Sequence, residues 1–447
     1  MSDRYDFVVY GATGFTGKFV VEQIAKKKNK VHYAVAGRNT DRMKRVLEEV
    51  TLQTGVDQRQ VPIIVADSGD EHSLRNMARQ AKVIINTVGP YRLYGESVVK
   101  AAVEEGAHHV DISGEPHFLE RMQLKYDSEA KKKGVYIVGS CGWDSIPCDL
   151  GISFLKREFC GQLGGVETFV QFNSGSAGYS INAGTYQTLV LGFANMKSDK
   201  LGDIRKQTMP QKLPNTGYKP QKRPTLWYNE KLQGWCLPFL GSDKSVAKRS
   251  EYFNYCHRNE SPAYIETYLV MKSLFWAVLL MMWLYLFTVM SQFRFTRSIL
   301  QKYPDYCSFG LFKEAGPTKE QIDQASFSYW FHGWGWKDPV RVGYAHPSNP
   351  DRFVAVRCDG PDCGYISTSA CVLSAAETLL EDAASLPLGG GVFTPAAAFA
   401  RTRIYDRLAD RGKHCFLEQS VNMKIFRCFL LLFALSLCRE QSLLRSS

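Results

Sequence analysis

The chain has 447 residues, 45% of them hydrophobic and 22% charged, with a formal net charge of +11. That length fits roughly two to three domains with sizeable cores. The composition excludes a mainly disordered, collagen-like or many-span membrane protein. The opening Met-Ser-Asp-Arg runs straight into an apolar stretch, without the basic-then-apolar pattern of a signal peptide. A cytosol-facing, reducing location is therefore expected. The twelve cysteines include no C-x-x-C pair and are expected to be buried thiols, with no metal site.

Tyr5 to Tyr10 predicts a strand ending at Gly11. The string Gly11-Ala12-Thr13-Gly14-Phe15-Thr16-Gly17 follows and opens a helix reaching about Lys28. Further strands are predicted at 31–36, 61–66, 83–88, 109–112 and 135–138. Helices between them are predicted at 41–50, 70–80, 95–105 and 118–132. Six short apolar runs alternating with helical patterns predict βαβ units and a parallel sheet, with ligands at the carboxyl ends of its strands. In that context the glycine turn is a dinucleotide signal. Gly11 permits the tight turn, Gly14 admits a pyrophosphate to the backbone amides, and Gly17 allows close helix–sheet packing. Thr13, Phe15 and Thr16 complete the turn at the helix N-terminus, whose dipole favours phosphate. The second strand ends at Gly37-Arg38-Asn39-Thr40, without the acidic residue that binds an NAD ribose. Arg38 can pair with a 2′-phosphate, so NADP is expected over NAD. Asp67 is a candidate contact on the adenine side. The alternatives are a glycine turn kept for packing, an ordinary exposed arginine and a helix-capping aspartate.

Three loop motifs stand at later strand ends: Asn86-Thr87-Val88-Gly89-Pro90-Tyr91-Arg92-Leu93-Tyr94-Gly95-Glu96, Asp111-Ile112-Ser113-Gly114-Glu115 and Gly142-Trp143-Asp144-Ser145-Ile146-Pro147. Asn86, Val88, Gly89 and Pro90 are expected beside the nicotinamide. Tyr91, Arg92 and Tyr94 are expected to project from this loop into the cleft. Hydride transfer needs a nearby proton donor or acceptor, and Tyr94, Glu115 and Asp144 are the candidates by position. The Tyr-x-x-x-Lys pair of short-chain dehydrogenases is not found at this loop, since Tyr91 and Tyr94 are followed four residues on by Gly95 and Val98. The competing view is that Tyr94 and Glu115 only shape the domain junction.

With the glycine turn, these motifs resemble the saccharopine dehydrogenase-like oxidoreductases of animals. The resemblance continues through Ala315-Gly316-Pro317-Thr318, Ala325-Ser326-Phe327, Gly364-Tyr365 and Gly389-Gly390-Gly391-Val392-Phe393-Thr394-Pro395. More distantly, the chain is similar to bacterial trans-acting enoyl reductases. The resemblance implies an α/β fold, a Rossmann-type doubly wound parallel sheet with a second α+β domain. It also implies an oxidoreductase label without a fixed substrate, and a lipid-droplet location.

Past Pro147 the pattern becomes mixed. Helices are predicted at 149–159, from about Thr185 and at 368–382. Strands are predicted at 166–172, 327–336 and 354–358. Residues 197–231 hold nine Lys/Arg against Asp199, Asp203 and Glu230, which suits an anionic lipid surface or else a solvated loop. From Ser273 to Phe293 there is no charge over 21 residues, long enough as a helix to reach about 31 Å. Family-like soluble sequence on both sides argues against a single crossing, so 273–290 is expected to be a shallowly inserted, membrane-associated apolar helix. The expected domains are 1–145 (dinucleotide binding), 146–365 (the α+β domain), 366–413 (helical return) and 414–447 (a divergent tail, apolar from Phe429 to Leu437). The expected partners are a lipid monolayer or membrane surface and a small hydrophobic substrate, not nucleic acid. A homodimer and a mitochondrial location stay open. The function expected is NAD(P)-dependent hydride transfer with a hydrophobic carbonyl or enoyl compound at a lipid surface. The alternative is a non-catalytic Rossmann-fold scaffold on lipid droplets.

Overall fold

The computed structural model describes residues 4–27, 31–412 and 415–419. Six strands come first: β1 (Tyr5–Tyr10), β2 (Tyr33–Gly37), β3 (Ile63–Val65), β4 (Ala81–Asn86), β5 (His108–Asp111) and β6 (Tyr136–Val138). The chain then forms β7 (Gln162–Asn173), β8 (Ile181–Asn182), β9 (Trp227–Asn229), β10 (Gly234–Pro238), β11 (Tyr264–Met271), β12 (Phe312–Lys313), β13 (Ser326–Trp336) and β14 (Arg352–Pro361). It closes with β15 (Gly391–Phe393) and β16 (Cys415–Gln419).

The first sheet has the order β3-β2-β1-β4-β5-β6-β15, and every neighbouring pair is parallel. Its strands are apolar on both faces, as a sheet covered on both sides requires. Phe7, Val9, Val35, Val83, Ile85 and Val110 turn to one face, under the helices Phe15–Lys26, Thr40–Thr54 and Thr368–Glu381. Val8, Tyr10, Ala34, Ala36 and Ile84 turn to the other, under Glu71–Arg79, Tyr91–Glu105 and Pro116–Lys133. The fold is thus the expected doubly wound α/β architecture. The expected six strands become seven. Short Gly391–Phe393 lacks a long apolar run, but it returns from the second half of the chain to pair with β6.

The second sheet has the order β16-β14-β13-β7-β11-β10-β9 and is mixed, with β7 parallel to β11 and antiparallel to β13. The helices Ile146–Glu158 and Asp243–Arg258 cover one of its faces. Sequence reasoning missed β9, β10, β11 and the helix Asp243–Arg258. The helix Leu201–Thr208 also interrupts the expected basic loop. The expected divergent tail lies outside the described residues except for Cys415–Gln419, which pairs with β14.

The apolar segment is the helix Leu274–Gln292. Ala277, Phe287 and Ser291 are buried, Phe287 packing with Tyr186 and Val190 of the helix Ala183–Asn195, and the Trp283 indole N–H donates to the Cys307 carbonyl at 2.8 Å. Phe275, Val278, Met282, Tyr285, Leu286 and Val289 are exposed along the opposite side. One face of the helix is packed and the other is bare.

Candidate active site

Strand order reverses between β1 and β4, which makes their carboxyl ends the switch-point crevice of the sheet. Gly11 ends β1 at φ +91, a left-handed conformation that L side chains avoid. A Cβ there would lie 2.7 Å from the Val88 side chain and 2.8 Å from the Thr87 hydroxyl. A Cβ on Gly17 would collide with the Gly11 carbonyl. Thr87, which sequence reasoning passed over, ties the two strand ends together: both its N–H and its hydroxyl donate to the Tyr10 carbonyl at 2.9 Å. Gly14 is the N-cap of the helix Phe15–Lys26 and supplies no side-chain cap. The first-turn amides of Phe15, Thr16 and Gly17 therefore suit a pyrophosphate, with exposed Thr13 and Gly14 at the rim. The Phe15 ring does not line this cradle. It packs on Tyr365 of the second half at a centroid distance of 4.6 Å and closely approaches Gly316.

Arg38 stands exposed one residue past β2. Arg38, Asp67 and Ser68 converge on the Tyr10 hydroxyl, whose pKa is raised mainly by burial, while the Ser68 hydrogen bond and the Arg38 charge oppose that rise. Asn39 Oδ1 accepts from Arg42 N–H at 2.9 Å and so caps the next helix. Asp67 Oδ1 accepts from Gly69 N–H at 2.9 Å. Arg38 thus offers an exposed cation past β2 that could pair with a 2′-phosphate, with Asn39 and Asp67 shaping the loops beside it.

At the carboxyl end of β4, Asn86 is fully buried. Its Oδ1 accepts from Val88 N–H at 3.0 Å, and its Nδ2 contacts His109 at 3.3 Å. It shapes the turn from beneath, while Val88, Gly89 and Pro90 form the surface above. The helix expected to start at Gly95 starts at Tyr91. The reason is Glu115: its Oε1 accepts from Tyr91 N–H at 2.6 Å and its Oε2 from Arg92 N–H at 3.0 Å. A carboxylate 24 residues downstream thus caps this helix and offsets its dipole. Burial still raises the Glu115 pKa against those two bonds. Tyr91 does not enter the cleft as expected; its buried hydroxyl donates to the Asn86 carbonyl at 2.8 Å. Arg92 turns to Asp199 of the second half. Tyr94 is exposed on the first turn of the helix.

Asp144 occupies the loop after β6. Its Oδ2 accepts from the Ser242 hydroxyl at 3.1 Å, and Gly114 and Gly241 approach so closely that a Cβ on either would lie about 2.5–2.6 Å from its carboxylate. Ser242 Oγ continues to Ser145 at 2.9 Å and Ser145 to Ser140 at 2.7 Å, and Ser140 N–H donates to Asp111 at 2.9 Å. Burial raises Asp144 to about 6 and Asp111 to about 7, each against hydrogen bonds that favour the ionised form. Beside Ser242, Asp243 accepts from the Tyr329 hydroxyl and is held well above the carboxylate range by burial and the Asp144 charge. Sequence reasoning missed this group. The only local signal was Gly241-Ser242-Asp243, which reads as a helix start.

A polar cradle at the glycine turn, an arginine past β2 and a carboxyl raised by burial past β6 suit hydride transfer with a nicotinamide dinucleotide. Comparison with known proteins agrees. Residues 7–138 match the saccharopine dehydrogenase NADP binding domain. A "Lipid droplet localized protein" of Caenorhabditis elegans is 51% identical over 424 residues, 94% of this chain and 100% of the relative. A human "Saccharopine dehydrogenase-like oxidoreductase" is 40% identical over 416 residues, 91% of this chain and 96% of the relative. Among solved structures, apo saccharopine dehydrogenase (L-Glu forming) from Saccharomyces cerevisiae shares the fold with a TM-score of 0.52 at 14% identity, covering 93% of this chain and 99% of that one. The chain belongs to the saccharopine dehydrogenase-like oxidoreductase family, and its glycine-turn domain is an NADP-binding domain.

Proposed function

We propose that the chain is an NADPH-dependent reductase of a hydrophobic carbonyl or enoyl compound, working at the surface of a lipid droplet. The observation that carries this reading is the helix Leu274–Gln292, which buries one face in the protein and leaves Phe275 68% and Tyr285 74% exposed on the other. A contiguous bare apolar face of that kind marks an interaction surface. Lys272, Arg294 and Arg297 flank it and suit anionic headgroups. A single leaflet accepts such a helix without a second aqueous compartment. The relative named for lipid-droplet localisation supports the location, and the likeness to enoyl reductases supports the substrate class.

The glycine-turn amides would hold the pyrophosphate and Arg38 the 2′-phosphate. The bound nicotinamide supplies the hydride. Asp144, raised by burial to about 6, takes up a proton near neutral pH far more readily than an ordinary aspartate and passes it to the substrate oxygen or adjacent carbon, with Ser242 fixing the carboxyl. Glu115 keeps the Tyr91–Glu105 helix in place below the cleft, and Tyr94 lines its mouth.

Titration of the protein with NADPH and NADH, followed by nicotinamide fluorescence, tests the cofactor half. Arg38→Glu should weaken NADPH binding by about tenfold or more while leaving NADH nearly unchanged. No binding of either nucleotide would overturn the reductase reading and favour a scaffold.

A further inference from the structure

Arg92 stands on the first turn after β4, at the carboxyl edge of the sheet where an α/β enzyme meets its ligand. Its Nη1 and Nη2 donate to the two carboxylate oxygens of Asp199 at 2.6 and 2.7 Å. The side chains are only 15% and 8% exposed. This parallel fork is the geometry by which an arginine grips a substrate carboxylate. Here the carboxylate belongs to the protein. It arrives from the second half of the chain, between the helices Ala183–Asn195 and Leu201–Thr208, and Asp199 N–H is anchored on the Asn195 carbonyl at 2.9 Å. His117 Nε2 lies 3.9 Å from the same carboxylate, and Glu115 accepts from the backbone N–H of Arg92.

We propose that Asp199 is a built-in carboxylate that occupies the anion position of Arg92, so that the cleft accepts substrates uncharged at that end and turns away those carrying a carboxylate there. The inference rests on the lipid-reductase reading and deepens it by naming the substrate class. A free carboxylate would have to displace a partner already held in place, which has no association entropy to lose. It would also enter beside two carboxylates, Asp199 and Glu115, with Arg92 already paired. An uncharged lipid group meets neither obstacle. Asp199 is a specificity residue and does not take part in proton or hydride transfer.

The test uses glutarate as the probe and isothermal titration calorimetry on wild type, Asp199→Ala, Arg92→Gln and the double variant Asp199→Ala/Arg92→Gln. NADPH affinity and a thermal melt are recorded for each. Asp199→Ala should gain glutarate affinity by at least about tenfold over wild type, the scale of a charge-assisted pair, and the double variant should lose that gain. If Asp199→Ala does not fold, Asp199→Asn keeps the side-chain shape and should show a smaller gain in the same direction. The proposal is overturned if wild type itself binds glutarate in a way that Arg92→Gln abolishes. It is equally overturned if a folded Asp199 variant gains nothing, for the pair is then only a clasp between the two halves. Loss of NADPH binding in wild type would instead sink the reductase reading, and the glutarate arm would still decide the role of Asp199 in the nucleotide-free protein.

Discussion

Glu115 and Asp144 show how differently two carboxyls at neighbouring strand ends can be used. Glu115 spends both oxygens on the backbone N–H groups of Tyr91 and Arg92. Glu115→Ala leaves those two buried donors unpaired, and unfolding by urea should show a loss of about 2–3 kcal/mol. Asp144 keeps a carboxyl near its ionisation point, at about 6. Asp144→Asn removes the proton without removing the shape, so kcat for a reduced lipid carbonyl should fall by roughly 10²–10⁴-fold with NADPH affinity unchanged. A steady-state rate comparison with a parallel fluorescence titration checks both halves of that statement. The sequence put both residues at the right edge of the sheet. It could not divide their roles, because the groups that decide them, the Tyr91 and Arg92 amides and Ser242, lie 24, 23 and 98 residues away.

At the scale of elements, the helix Leu274–Gln292 was legible as a long apolar helix from its composition alone. Which face was bare was not, since it is apolar all round and only the neighbours Tyr186, Leu300 and Phe312 define an inside. Met282→Glu with Tyr285→Glu places two charges on the exposed side. Flotation with droplets or anionic vesicles should be lost, while the change in stability should stay within about 1 kcal/mol, as for other surface substitutions. Flotation that survives would remove this helix as the lipid contact. The basic stretch is read differently once folded. Arg205 grips buried Glu120 at 2.8 Å, and Arg223 holds Glu167 at 3.0 Å. Two of its nine cations thus neutralise interior carboxylates and Lys206 pairs with Asp203, while Lys197 and Lys200 stand exposed.

At the scale of the whole molecule, the two halves meet over buried carboxyls. Asp149 Oδ2 accepts from Ala396 N–H and from the Ser250 hydroxyl, each at 2.8 Å, joining the helix Ile146–Glu158 to the returning segment and to the helix Asp243–Arg258. Burial raises Asp149 to about 7, as it does Asp111. A carboxyl whose folded pKa lies above its unfolded value binds its proton more tightly when folded. Its contribution is fully present below about pH 4 and is lost as pH rises through about 7. Wild type should therefore lose stability relative to Asp149→Asn between pH 5 and pH 8, by up to a few kcal/mol. Melting curves of the two proteins at those pH values give the difference directly. Parallel curves would show that Asp149 ionises freely in the folded protein.

The sequence by itself determined the glycine turn, the strand–helix alternation, the arginine past β2 and the presence of an apolar helix. Each of these is written in neighbouring residues, through the steric need for glycine or through periodicity. Tertiary structure decided the rest. The seventh strand of the sheet is three residues long and is a strand only because β6 is there to pair with. The Phe15 ring serves the junction with Tyr365 rather than the cradle. Arg92, next to the cofactor loop in sequence, is claimed by an aspartate 107 residues on. Burial and the choice of an ionic partner belong to the assembled chain, because both depend on groups that only folding brings within reach.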